Sequence, residues 1–144
     1  MQIKKIFKKI ILPLSLIIFV SYLSTSYYIL YSIIYNQRKP LTDFPENYNL
    51  TYKNVSFTPR GENIKLKAWL FPSNSEYYII FVHGIGVNRV SNKDTLKLAR
   101  DLIGQGYNIL MFDQRAQGES EGKISSASWF EKDDILGAFD YLVK

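Results

Sequence analysis

The first pattern along the chain is an absence of charge. From Ile10 to Tyr35 no residue is charged, and Ile, Leu, Tyr and Phe dominate. That run exceeds the roughly 20 residues a helix needs to cross a bilayer. Pro13 lies near its start, where a helix tolerates proline best, and Tyr22, Tyr27, Tyr28, Tyr31 and Tyr35 crowd its second half, as side chains near a membrane interface do. A transmembrane helix within residues 1–36 is expected. A cleaved signal peptide is the rival, with Ile10 to Val20 as its apolar stretch and Ser24 and Ser26 before the cut. The apolar run continues past Ser26, which favours a retained anchor, and the lack of a polar face argues against a buried core helix.

From Asn36 to Asn49 the pattern turns polar and includes Pro40 and Pro45, so residues 37–53 read as a linker. Strand patterns follow in 54–144. They cover Asn54 to Phe57 and Ile64 to Phe71, where apolar residues alternate with Lys65 and Lys67, with a turn at Arg60 to Asn63 between them. Tyr77 to Val82 and Asn108 to Phe112 are continuous apolar runs, which suit strands covered on both faces of a parallel sheet. Between them Leu96, Ala99, Leu102 and Ile103 recur at helical spacing over Asp94 to Ile103, with Ser91 or Asn92 as caps and Gly104 and Gly106 as the stop. A last helix is expected from the capping-box pattern Ser128-Trp129-Phe130-Glu131 onward. The alternation predicts an α/β fold of about four strands and two main helices behind a membrane helix.

Charge sharpens this picture. The formal net charge of +5 comes largely from Lys4, Lys5, Lys8, Lys9, Arg38 and Lys39, which flank the apolar run. Four lysines before it and two basic residues after it predict a single pass, with a cytoplasmic N-terminus and an extracytoplasmic domain. No basic stripe is left for nucleic acid. The absence of cysteine removes thiolate chemistry and zinc–thiolate sites. No metal cluster, phosphate loop or dinucleotide fingerprint is visible, so no cofactor is expected. Asn49-Leu50-Thr51 and Asn54-Val55-Ser56 match glycosylation sequons and receive no function.

The chemistry lies in the loops after the two apolar strands, because open α/β sheets bind ligands at the carboxyl ends of their strands. The first is His83-Gly84-Ile85-Gly86-Val87-Asn88, where glycines let the backbone turn sharply and present N–H groups to a developing negative charge. The second runs from Asp113 through Arg115, Gly118 and Ser120 to Gly122. For Asp113 and Arg115 the preferred reading is structural, an internal salt bridge that shapes the loop, over any direct role.

FVHGIGVNR, a helix, GYNILMFDQRAQGESEGK and a second helix ending DYL together resemble the α/β-hydrolase superfamily from about Val55 to the end, and in particular its membrane-anchored serine hydrolases. The resemblance implies that this is the N-terminal portion of such a sheet. It also implies that the His83, Gly84, Ile85, Gly86 loop gives an oxyanion hole one backbone N–H, from Ile85 or its neighbour. Ala116 stands where the family's second loop usually has glycine, which strains that turn if φ is positive.

Gly118-Glu119-Ser120-Glu121-Gly122 formally matches the nucleophile elbow G-x-S-x-G. An elbow lies directly between a strand and a helix, whereas here Gln114 to Gln117 precede the glycine and the helix begins only near Ser128. Ser120 is therefore a poor candidate nucleophile. A serine hydrolase also needs a histidine base, and the only histidine, His83, lies upstream of where the family keeps it. The expectation is a membrane-anchored fragment of an ester, amide or thioester hydrolase, inactive alone, whose four-stranded sheet ends on an unpaired edge. The alternative is a tethered binding module or a half-enzyme that pairs with a separately encoded C-terminal hydrolase half.

Overall fold

The computed structural model describes residues 7–35 and 37–144. Lys4 and Lys5, two of the orienting charges, and Asn36, where the polar stretch begins, lie outside the described residues. The chain divides into two compact units, one ending at Ile33 and the other running from Ile34 to Lys144.

The first unit is helical. A π-turn over Phe7–Ile11 leads into α1, Leu12–Ile34. At 1.5 Å per residue α1 is about 35 Å long. The segment Lys8–Ile34 has a mean hydropathy of 1.8 and is long and apolar enough to cross a membrane. None of the α1 residues is buried. Two of its hydroxyls are satisfied internally, with Ser15 donating to the Leu12 carbonyl and Ser32 to the Ile29 carbonyl, both at 2.8 Å. Neither needs water there, which matters in hydrocarbon.

The second unit is a four-stranded sheet of β1 (Lys53–Phe57), β2 (Leu66–Phe71), β3 (Tyr78–Phe81) and β4 (Asn108–Phe112). Their order is β1-β2-β4-β3, with β1/β2 and β2/β4 antiparallel and β3/β4 parallel. Helix α2, Thr95–Gly104, makes the crossover between β3 and β4, and α3, Glu131–Leu142, follows β4. Period-two alternation divides the core between the two faces. Trp69, Phe71, Ile109 and Met111 meet Leu96 and Ala99 of α2 on one face, while Leu66, Ala68, Leu110 and Phe112 meet Phe57 and Ala138 of α3 on the other. Every residue of β4 is buried, because both of its faces are covered. Gly137 lets α3 approach closely: a Cβ there would lie 2.3 Å from the Thr58 carbonyl oxygen.

Three boundaries differ from the sequence expectation. The linker stretch lies against the sheet rather than free of it: Leu41, Tyr48, Leu50 and Tyr52 pack on the first cluster, and Pro45 is buried in a 3₁₀ turn over Pro45–Tyr48. Helix α3 begins at Glu131 rather than Ser128, because Ala127 (φ 56°) and Ser128 (φ 97°) are left-handed. At α2 neither Ser91 nor Asn92 is the cap: Asp94 occupies that position, and Asn92 instead closes a turn by accepting the Asp94 N–H at 2.9 Å.

Candidate functional site: two loops at the strand ends

The loop after β3 turns at Gly86, whose φ of +71° suits glycine. Its backbone is held from both sides. The Val87 N–H donates to Gln117 Oε1 (3.2 Å), and Asn88 Nδ2 donates to the Lys39 and Pro40 carbonyls (3.2 and 2.9 Å). Just before these anchors, no described residue accepts a hydrogen bond from the N–H of Ile85 or Gly86. Ile85 is 45% exposed. Two adjacent N–H groups, fixed by neighbours and free of protein acceptors, are the arrangement that stabilises an oxyanion.

His83 is occupied elsewhere. Its Nε2 accepts the Gln114 N–H at 3.1 Å, so the proton sits on Nδ1, which donates to the Gly84 carbonyl at 2.8 Å. Gln114 Nε2 in turn donates to the His83 carbonyl at 3.0 Å. Burial pushes the imidazole pKa down, against weaker pulls from the Gly84 carbonyl and Asp113. His83 is thus a neutral strut between the two loops, with neither nitrogen left to accept a substrate proton.

The second loop, Asp113–Gly122, is built on two buried ion pairs. Asp113, fully buried, accepts the Arg89 N–H (2.6 Å), Arg89 Nη1 (3.1 Å) and the Glu119 N–H (2.8 Å). The Arg89 guanidinium lies 4.4 Å from the Trp69 ring centroid and also bonds Glu119. Arg115 takes a different partner, fully buried Asp134 on α3, through Nε (3.0 Å), Nη2 (2.8 Å) and its own N–H (2.8 Å), and its Nη1 reaches Glu62 at 2.8 Å. Burial raises the Asp134 carboxyl against the pull of Arg115. Asp113 and Arg115 therefore do not bridge each other, as the sequence reading had them. One ties the loop to the first loop, and the other ties it to α3.

Ser120 is fully buried. Its Oγ donates to the Asp113 carbonyl (2.5 Å) and accepts the Lys67 N–H (2.8 Å), so both capacities are spent joining the loop to β2. Arg38 donates to the carbonyls of Gly118 (3.4 Å), Ser120 and Gly122 (2.7 Å). This charge, expected only to orient a membrane helix, also clamps the loop. Gly118 is required on two counts: its φ is +48°, and a Cβ would lie 2.2 Å from Asp113 Oδ2. Ala116 has a φ of 59°, the left-handed conformation that its departure from glycine makes costly, at about 1–2 kcal/mol.

Sequence reasoning gave no role to Arg89, Gln114, Gln117 or Asp134, and saw Glu131 only as part of a capping box. Glu131 is 3% exposed, and its carboxylate accepts from Ser125 Oγ (2.9 Å), Ser126 N–H (2.8 Å), Ser126 Oγ (2.7 Å) and Ser128 N–H (2.8 Å). Burial pushes its pKa up, yet these donors together bring it down to about 2. Only the Ser128 N–H bond belongs to the expected capping box. Two buried nitrogens, Arg89 Nε and Gln117 Nε2, have no hydrogen-bond partner among the described residues, and no cluster of His, Asp and Glu among those residues could hold a metal ion.

No protein-family model matches the chain. A 94-residue stretch, 65% of the chain, is 30% identical to the uncharacterized protein YqkD of Bacillus subtilis and covers 30% of that protein. Among solved structures, the esterase Pf2001 of Pyrococcus furiosus superposes on 76% of the chain with a TM-score of 0.70 and 28% identity. The α/β hydrolase GrgF from Penicillium superposes on 66% with a TM-score of 0.58 and 20% identity, a likeness of fold. The chain spans 42% of the esterase and 33% of GrgF, so it matches less than half the length of each of these proteins.

Proposed function

We propose that this chain, which carries the N-terminal part of an α/β-hydrolase fold, supplies the oxyanion-loop half of a serine-type hydrolase active site. One observation carries the reading: the Ile85 and Gly86 N–H groups stand without acceptors among the described residues at the carboxyl end of a parallel strand, in a loop pinned at His83 before them and at Val87 and Asn88 after them. In acyl transfer such groups bind the oxygen that becomes negative as the tetrahedral intermediate forms. The nucleophile and base come from outside these 144 residues, since Ser120 and His83 have no free valence for either task. The substrate class is an ester, amide or thioester, and the esterase likeness favours an ester.

The loops would act as a rigid base rather than as reacting groups. Gln117 and Gln114 fix the first loop against the second, and the Arg89–Asp113 and Arg115–Asp134 pairs fix the second against the sheet and α3. The free edge of β3 favours a second, compatible reading. β3 pairs only with β4 among the described strands, and Tyr78 and Val82 at this side of the sheet are about half exposed. A parallel strand placed there, from the same polypeptide or from a separately made half, would bring its own carboxyl-end loop beside Ile85. We place the domain on the extracytoplasmic side of a membrane crossed once by α1.

Two experiments test this. The full chain, treated alone with a serine-directed fluorophosphonate, should remain unlabelled; labelling lost on Ser120→Ala would overturn the assignment. Alkaline carbonate should leave the chain in the membrane pellet, and release to the supernatant would remove the anchor from the account.

A further inference from the structure

Residues 38–40 hold both loops of the site at once. Arg38 donates to three carbonyls of the second loop, those of Gly118 (3.4 Å), Ser120 and Gly122 (2.7 Å). The next two residues, Lys39 and Pro40, offer their carbonyls to Asn88 Nδ2 of the first loop at 3.2 and 2.9 Å. Asn88 is buried, and its Oδ1 accepts the Val90 N–H at 3.0 Å, so its amide is held at both ends. The two loops are joined to each other by Gln117 Oε1, which accepts the Val87 N–H. Arg38, the second loop, Gln117, the first loop, Asn88 and Pro40 therefore close a ring of hydrogen bonds, and the Ile85 and Gly86 N–H groups lie directly before the two residues through which it passes.

The seat of Arg38 is built by the backbone of the second loop. Ala116, Gly118 and Gly122 are all left-handed, with φ of 59°, 48° and 104°. The Ala116 N–H donates to the Glu121 carbonyl (2.9 Å) and the Ser120 N–H to the Gln117 carbonyl (3.1 Å), which folds the segment into a closed turn. The carbonyls of Gly118, Ser120 and Gly122 meet on one guanidinium. Converging carbonyl oxygens repel one another, and a cation among them turns that repulsion into charge-assisted bonding. Gln117 belongs to the same turn. Its Nε2 has no partner among the described residues, so the backbone of the turn, rather than a second side-chain bond, sets where its Oε1 points. Whatever holds the turn also holds Val87.

We propose that Arg38 is a positioning residue for the oxyanion loop: seated among the Gly118, Ser120 and Gly122 carbonyls, it fixes the turn that carries Gln117 and, through Gln117 and Val87, the orientation of the Ile85 and Gly86 N–H groups. Asn88 completes the path by fixing the arm from which Arg38 reaches. This rests on the reading of Ile85 and Gly86 as oxyanion donors. The planar fork of a guanidinium reaches several carbonyls at once, and a lysine ammonium at this position would lack that geometry. The stretch that follows α1 in the chain is then part of the site itself.

The test uses the full chain, labelled with nitrogen-15 and held in micelles, with amide hydrogen exchange read by nuclear magnetic resonance. Arg38 is exposed, so Arg38→Ala removes no core packing. In that variant the Val87 N–H should exchange about tenfold faster, as loss of a bond to a charged group allows. The Ile85 and Gly86 resonances should shift, while the amides of β4 keep their rates. Millimolar guanidinium chloride refills the seat and should return the Ile85, Gly86 and Val87 resonances toward their original positions, whereas sodium chloride at the same concentration should not. Arg38→Lys should recover only part of the Val87 protection. Unchanged Val87 exchange with unmoved Ile85 and Gly86 resonances, acceleration that runs equally through β4, or restoration by sodium chloride as readily as by guanidinium would each overturn the proposal. If Arg38→Ala fails to fold, Arg38→Lys carries the same comparison with the same contrary results. The oxyanion reading fails in a different experiment, in which removing the Ile85 N–H leaves ester hydrolysis unchanged, so the two failures are told apart.

Discussion

Replacing Glu131 by glutamine isolates the group that organises the approach to α3. The carboxylate is an acceptor only, and four donors converge on it. Glutamine keeps one acceptor oxygen and turns an NH₂ toward the remaining donors. The serine hydroxyls can rotate to accept from it, but the N–H groups of Ser126 and Ser128 cannot. The folded carboxyl titrates at about 2 against an ordinary 4.5, and at 1.36 kcal/mol per pH unit the ionised form contributes up to about 3 kcal/mol to folding. Because the folded pKa is depressed, that contribution is fully present above pH 4.5 and is lost as pH falls from 4.5 toward 2. Guanidinium unfolding of the full chain in micelles, followed by tryptophan emission, should show Glu131→Gln less stable by about 3 kcal/mol at pH 7. The gap between the two proteins should close steadily below pH 4.5, and the subtraction removes the other carboxylates from the comparison. A gap that is absent at pH 7, or constant from pH 6 to pH 2.5, would refute the assignment of this carboxylate as a buried, ionised cap.

Three further outcomes follow from the same geometry. Ser120→Ala leaves the Lys67 N–H without its partner and should lower stability by about 1–3 kcal/mol in the same unfolding assay. Gly137→Ala sets a methyl against the Thr58 carbonyl and should push α3 off the sheet. Because Tyr141 stacks on Phe57 with ring centroids 5.7 Å apart, the near-ultraviolet circular dichroism should weaken in that variant. Asp134→Asn strips the charge from the partner of Arg115 and should cost about 3–5 kcal/mol, as breaking a buried pair does, with a lower thermal midpoint as the readout.

Much of the sheet was legible in sequence, for a definite reason. β4 is apolar at nearly every position because both faces are covered, and the intervening helix repeats its apolar residues at helical spacing, so the crossover between β3 and β4 could be read directly. Ala116 could also be flagged, since the resemblance set glycine at that turn, and its φ of 59° bears this out. What stayed hidden was every feature set by partners distant in sequence. Asp113 and Arg115 are two residues apart and look like a pair, yet each is held by a residue from another element, Arg89 and Asp134. The stretch from Arg38 to Tyr52 looks like a linker because its prolines and polar residues outnumber its apolar ones; Leu41, Tyr48 and Leu50 find the sheet only once it is folded. The start of α3 was misplaced because Ala127 and Ser128 are left-handed, a backbone turn that the capping-box spacing does not announce. The first loop is held by Gln117 at Val87, 30 residues away in sequence, and no local pattern announces that bond.

The central claim is that the Ile85 N–H serves an oxyanion hole whose nucleophile lies elsewhere. It is tested most directly in a chimera in which residues 37–144 replace the matching part of the Pyrococcus esterase, with residue 85 exchanged for its α-hydroxy analogue. That exchange removes the N–H and leaves the side chain in place. Ester hydrolysis by the chimera should fall about 10²–10³-fold in kcat, with fluorophosphonate labelling still on the esterase-derived part. Unchanged kcat, or labelling that moves with Ser120, would contradict the account.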